Sequence, residues 1–192
     1  MGWAAAVGAV ALMGMAGCTH SGPSGLGTSP AATRHGTSSP SQTPSVDVQD
    51  AAKKANEAAA VGAYQHYFEV RQEVEQRPGM SGWEDEVVPL LGGDLLPFMT
   101  NFYTQAQEKE LRITAPAVLV STTPVDYIED PGGTGHEQVL LDACIDATGS
   151  ITVYPDGSPE STSFRGVVTV TMQHQNDQWA VDESETKVDE TC

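Results

Sequence analysis

Three cysteines carry the most readable chemistry in this 192-residue chain. Cys18 closes the stretch Met15-Ala16-Gly17-Cys18, at the end of an apolar run from Ala4 to Met13. Small residues at Ala16 and Gly17 let an extended chain enter a peptidase site, and the Cys18 thiol can accept a diacylglyceryl group before becoming the mature N-terminus. With Cys18 acylated, Cys144 and Cys192 remain as a pair, and an oxidising compartment outside the cytoplasm favours a disulfide between them. Two buried free thiols are the competing reading. A bridge would close a loop of about 50 residues and contribute roughly 4 kcal/mol on the chain-entropy account.

Other chemistry finds little support. Gly79-Met80-Ser81-Gly82 lacks the glycine spacing of a nucleophile elbow. Gly132-Gly133-Thr134-Gly135 has no strand-to-helix context for a phosphate loop. His66, His136 and His174 lie far apart, with only Glu69 at helical spacing from His66, so no metal site and no cofactor are expected. A formal net charge of −17 argues against nucleic acid as a partner, because like charges repel. All 26 carboxylates and 8 of the 9 basic residues fall in 47–192, which therefore carries 8 − 26 = −18. The plain reading of that charge is a solvated surface.

The elements that must position these groups follow from periodicity. Asp47 is placed to cap a first helix to about Arg77, with Ala60, Tyr64, Tyr67, Phe68, Arg71 and Val74 on one stripe that has a single charged interruption. Pro78-Gly79 ends it. Trp83 to Leu91 reads as a short second helix interrupted by Pro89. Asp94 caps a third to about Glu110, whose core face is expected to hold Leu95, Phe98, Met99, Phe102 and Tyr103. After Leu111 the period changes to two. Strands are expected over 117–129, 138–148, 150–154, 164–174 and 178–187, with turns at Asp130 to Gly135, Pro155-Asp156-Gly157 and Asn176-Asp177. The acidic run from Asp182 to Thr191 has no hydrophobic reason to dock. Helices followed by antiparallel strands make an α+β fold class.

The stretch before Cys18 resembles a bacterial lipobox. On that reading residues 1–17 are a lipoprotein signal peptide, 18–46 a disordered Ser/Thr/Pro/Gly tether with a reach of roughly 30 Å, and 47–192 a single α+β domain. Met15 stands where Leu is usual and Met1-Gly2-Trp3 lacks positive charge, which points to an upstream start codon. Competing readings are a secretory signal cleaved without lipidation, a retained transmembrane helix and a cytosolic helix. The apolar run is short of the ~20 residues needed to span a bilayer.

Tyr64-x-x-Tyr67-Phe68, the strand Leu141-Asp142-Ala143-Cys144-Ile145-Asp146 and the hairpin through Asn176-Asp177-Gln178-Trp179-Ala180-Val181 together resemble small secreted lipoproteins of high-GC Gram-positive bacteria and their phages. The resemblance implies a nuclear-transport-factor-2-like (SnoaL-like) cone, with three helices packed in the concave side of a curved antiparallel sheet. Enzymes of that fold place a carboxylate or a His–Asp pair inside the cone, with a Tyr or protonated acid as oxyanion donor. The matching candidates are Asp142, Asp146, Tyr64, Tyr67 and His66. Strand alternation sets both aspartates opposite Val139, Leu141, Ala143 and Ile145, so they are expected to point outward, beside the disulfide, with no catalytic role. Tyr64, Tyr67, Phe68, Phe98, Phe102 and Trp179 are the candidate pocket or core aromatics. The expected function is a lipid-anchored protein on the extracytoplasmic face of the cell membrane, binding a small apolar ligand or a cell-envelope protein without catalysis. The alternatives are an extracytoplasmic isomerase or cyclase and a phage-encoded superinfection-exclusion surface protein.

Overall fold

The computed structural model describes residues 46–129, 136–187 and 192. The signal peptide, the Cys18 lipidation site, the tether as far as residue 45 and the turn expected at 130–135 lie outside these residues.

The expected α+β class is observed, with three α-helices and antiparallel sheets. Helix α1 runs Val46–Glu75 and buries Ala60, Tyr64, Tyr67, Phe68 and Val74, the stripe that helical spacing had marked. Pro78 and Gly79 end it in a single 3-10 turn, where Gly79 takes the positive φ that a side chain would resist. The segment expected as one short helix from Trp83 divides at Val87. Helix α2 is Trp83–Glu86, and a 3-10 turn, Val88–Leu90, carries Pro89. Helix α3 is Leu95–Glu108. Asp94 stands at its N-cap position, but its φ/ψ are already helical and its side chain makes no capping bond.

Two sheets follow. Strands β2 (Val118–Ile128), β3 (Gln138–Asp146), β6 (Arg165–Gln175) and β7 (Gln178–Lys187) form a four-stranded antiparallel sheet in the order β2-β3-β6-β7. Strands β1 (Arg112–Ala115), β4 (Ser150–Val153) and β5 (Pro159–Thr162) form a separate sheet in the order β1-β4-β5. The segment at 150–154 was expected to continue the larger sheet. It instead pairs with β1, which alternates over only four residues, and with β5, which is exposed throughout. Asn176 and Asp177 both take positive φ, as a two-residue hairpin joining β6 to β7 requires. Strand β7 coincides with the strand expected over 178–187, and it orders the acidic stretch from Asp182 to Lys187 although that stretch has no hydrophobic reason to dock. Its backbone pairs with β6 as far as Lys187, while Glu183 and Glu185 project into solvent and need no burial to stay there.

The core lies between α1, α3 and one face of the larger sheet. Val139, Leu141, Ala143, Val170 and Met172 have no accessible surface and meet the α1 aromatics and Met99 and Tyr103 of α3. Trp83 stacks on Tyr103 with ring centroids 5.4 Å apart, a pairing with no local sequence signal. Phe98 is a correction, being 67% exposed. The buried stripe of α3 is Leu95, Met99, Tyr103 and Ala106, and Phe98 falls on its flank at 3.6 residues per turn. Phe102 and Trp179 are half-buried at the margin of the core. Cys144 and Cys192 are disulfide-bonded, with Cα atoms 5.8 Å apart, on the face of β3 away from this core.

Candidate functional site

Strand β3 sorts the candidate residues. Its inward positions are apolar, and its outward carboxylates are committed to neighbours. Asp142 accepts hydrogen bonds from Lys187 Nζ at 2.9 Å and Thr169 Oγ1 at 3.0 Å. Asp146 accepts from Arg165 Nη1 at 3.1 Å and from the Thr148 backbone N–H at 2.9 Å. The Thr148 bonds, more than the Arg165 charge, hold the Asp146 carboxyl below its ordinary range. Neither aspartate shares a space with Tyr64 or Tyr67, which are buried on the other side. His66 is exposed on α1. A catalytic constellation of these residues is not assembled.

What the fold does assemble is a recess at the C-terminal half of α1. Its lining is Phe68, Arg71, Gln72 and Glu75 from α1, Ala117 ahead of β2, and Ile145, Ala147 and Phe164 at the ends of β3 and β6. The volume is about 200 Å³. The wall between β3 and β6 is closed by the Ala147 N–H donating to the Phe164 carbonyl at 2.8 Å. Gln72 Nε2 donates to the Ala117 carbonyl and closes the side toward β2.

Polarity in the recess is concentrated in one pair. Arg71 Nε donates to Glu75 Oε1 at 2.6 Å, one helical turn apart. The Glu75 side chain is 5% exposed, whereas Arg71 is ringed by protein yet keeps 35% of its side-chain surface accessible. The opening onto Arg71 is the recess. Glu75 holds the guanidinium protonated well above its ordinary pKa, against the opposing effect of burial. Burial pushes the Tyr67 hydroxyl up, and the Arg71 charge partly reverses this. The Tyr103 hydroxyl is raised for the same first reason, with Glu75 adding to it. It sits against the pair but closes no hydrogen bond of ordinary geometry. Nε is engaged by Glu75, and the Tyr67 hydroxyl also hydrogen-bonds the guanidinium, which has five N–H donors in all. The recess is therefore lined by apolar groups, two of them the aromatics Phe68 and Phe164, together with the Arg71–Glu75 pair.

Sequence reasoning noted Arg71 as the interruption in an apolar stripe but passed over Glu75. An Arg–Glu pair at i, i+4 on a stripe otherwise buried is the signal that could have found it. A second polar cluster was also missed. Asn56 Nδ2 donates to Tyr127 Oη at 3.1 Å and to Glu137 Oε1 at 3.0 Å, and Tyr127 Oη donates to the same Oε1 at 2.8 Å. It fastens α1 to the β2–β3 hairpin. His174 Nδ1 lies 3.9 Å from Glu137 Oε2. Among the described residues no three His, Cys, Asp or Glu side chains converge to hold a metal ion, and no helix is long and apolar enough to cross a membrane.

No protein-family model and no curated protein matches the chain. Among solved structures, the fold is similar to that of the intermembrane space region of the chloroplast protein ARC6, at 10% identity and a TM-score of 0.51, over 68% of this chain and 95% of that one. At that identity the likeness concerns the fold alone.

Proposed function

We propose that this chain is a lipid-anchored, extracytoplasmic accessory protein whose nuclear-transport-factor-2-like cone domain binds a small apolar ligand bearing one hydrogen-bond-accepting head. The observation that carries the reading is the recess itself. Its apolar wall would take the body of the ligand, and Arg71 at the base would donate to the head. A cavity of about 150 Å³ already suffices for benzene in a protein interior, so a recess of about 200 Å³ suits a single ring with a short substituent. A neutral acceptor such as a carbonyl is favoured over an anion, because Glu75 already balances Arg71 and the whole chain carries −17. The outward aspartates, tied to Lys187, Thr169 and Arg165, speak for binding without catalysis. The lipobox-like stretch before Cys18 and the Cys144–Cys192 bridge support a site on the outer face of the membrane, where disulfides persist.

Binding is tested by calorimetric titration with acetophenone, toluene and benzylamine. Acetophenone binds best, toluene more weakly and benzylamine not at all. Equal binding of all three would remove Arg71 from the account. Anchoring is tested by fractionating cells that express Cys18→Ala. The variant leaves the membrane with its fold intact, and equal retention would defeat the lipoprotein reading.

A further inference from the structure

A second opening lies beside the recess, across the Gln72–Ala117 bridge. It has a volume of about 430 Å³ and is lined by Gln65, Phe68, Glu69 and Gln72 on one side and by the unbroken run 116–122 on the other. Successive side chains of a strand point to opposite faces. The groove touches all five residues Val118–Thr122 at the start of β2, so it reaches the strand's edge and not one of its faces alone. Strand β2 is the edge of its sheet and pairs with β3 alone among the described residues. Val118 and Val120 stand there 59% and 49% exposed. An open edge with apolar side chains is a template for another strand.

The far half of the same strand is protected against such pairing. Pro124 has no N–H to offer, and the register shift between Pro124 and Asp126 breaks the ladder, while a second shift, between Leu119 and Ser121, bulges the near half at Val120. The half facing the groove has the bulge but no proline, so every residue from Val118 to Thr122 keeps its backbone N–H. The Gln72 bond to the Ala117 carbonyl marks the start of that half, where a side chain already occupies one edge acceptor. Deeper in, Thr122 Oγ1 is buried without a hydrogen-bond partner.

We infer that Val118–Thr122 receives an extended segment of a partner protein as an added strand, with apolar side chains at alternate positions and a Lys or Arg facing Glu69. The charge argument selects this occupant. Glu69 is the charged residue of the groove lining, Asp126 and Glu129 extend the negative edge, and 47–192 carries −18. A second copy would bring the same charge against it, and its own β2 holds no Lys or Arg to meet Glu69. The inference does not depend on what fills the neighbouring recess.

The test uses the full-length chain with a capped heptapeptide of alternating valine and lysine, followed by amide hydrogen exchange. Exchange of the outward amides in 118–122 slows at least tenfold with this peptide. It is unchanged with the valine–glutamate peptide or with a valine–lysine peptide methylated on its pairing amides. Glu69 is exposed on a helix, so Glu69→Lys leaves the fold intact; it reverses the preference between the two unmethylated peptides. Protection by both peptides alike, protection outside this half-strand, or protection that grows with protein concentration in the absence of peptide would each overturn the inference, the last in favour of a second copy.

Discussion

Replacing Glu75 by Gln should cost the fold about 2 kcal/mol, and the reasoning starts from how unequally the pair is buried. Removing one partner of a buried ion pair commonly costs about 3–5 kcal/mol, because the other charge is left desolvated. Glu75 fits that case at 5% exposed, and its bond from Arg71 is 2.6 Å long. Arg71 does not fit it fully. With 35% of its side chain accessible through the recess, water can reach the orphaned guanidinium, which sets the expected cost below that range. Replacing both, as Arg71→Met with Glu75→Leu, should come out near neutral, since no charge is then left behind. Urea denaturation of a Trp3→Phe, Trp179→Phe background followed by the fluorescence of Trp83 is the assay, because that indole is buried against Tyr103 and reports loss of the core. A loss under about 0.5 kcal/mol for Glu75→Gln, the scale of an exposed helical pair, would show that the pair is solvated and the recess is only a surface dent. A double variant as unstable as the single one would show that packing, not charge, is at stake.

Three further outcomes follow from the same structure. Cys192→Ser should lower stability by about 2–4 kcal/mol, the typical range for a disulfide, whose upper end is the chain-entropy value for a closed loop of this length, the two cysteines being 48 residues apart; free thiols alkylating under native conditions would contradict the bridge. Asp142→Asn should change stability by less than about 1 kcal/mol, as expected for a surface ion pair with Lys187, and thermal unfolding measures it. Asp182 has its pKa raised first by burial and then by the nearby Asp94 carboxylate. The fold therefore favours its protonated form, and the resulting penalty is absent in acid and sets in as pH rises through the unfolded-state value. Asp182→Asn should stabilise the protein at pH 7 and not at pH 3, and a gain of equal size at both would refute the electrostatic cause.

Much of the architecture was legible in the sequence because it rests on period. The α1 stripe, the alternation of β3 and β6 and the Asn176-Asp177 hairpin all repeat a short spacing that burial then enforces. Phe98 was misread because α3 has more apolar residues than its core face can take, and only the packing against β7 decides which are left outside. Strand β5 carries no alternation and β1 alternates over only four residues, too short a run to mark a strand, so the second sheet was missed. The recess was hidden for a different reason. Its lining comes from four separate stretches, at 68–75, at 117, at 145–147 and at 164, and only the Arg71–Glu75 spacing left a local trace.

The account's central claim is that the recess between Phe68, Arg71 and Phe164 holds a small apolar molecule by its acceptor head. Methyl-resolved NMR during titration with acetophenone tests it most directly. The account predicts saturable shifts at Ala117, Ile145 and Ala147, unchanged resonances at Val118 and Val120, and loss of the preference for acetophenone over toluene in Arg71→Met. Shifts confined to the exposed valines of β2, or a preference that survives Arg71→Met, would contradict it.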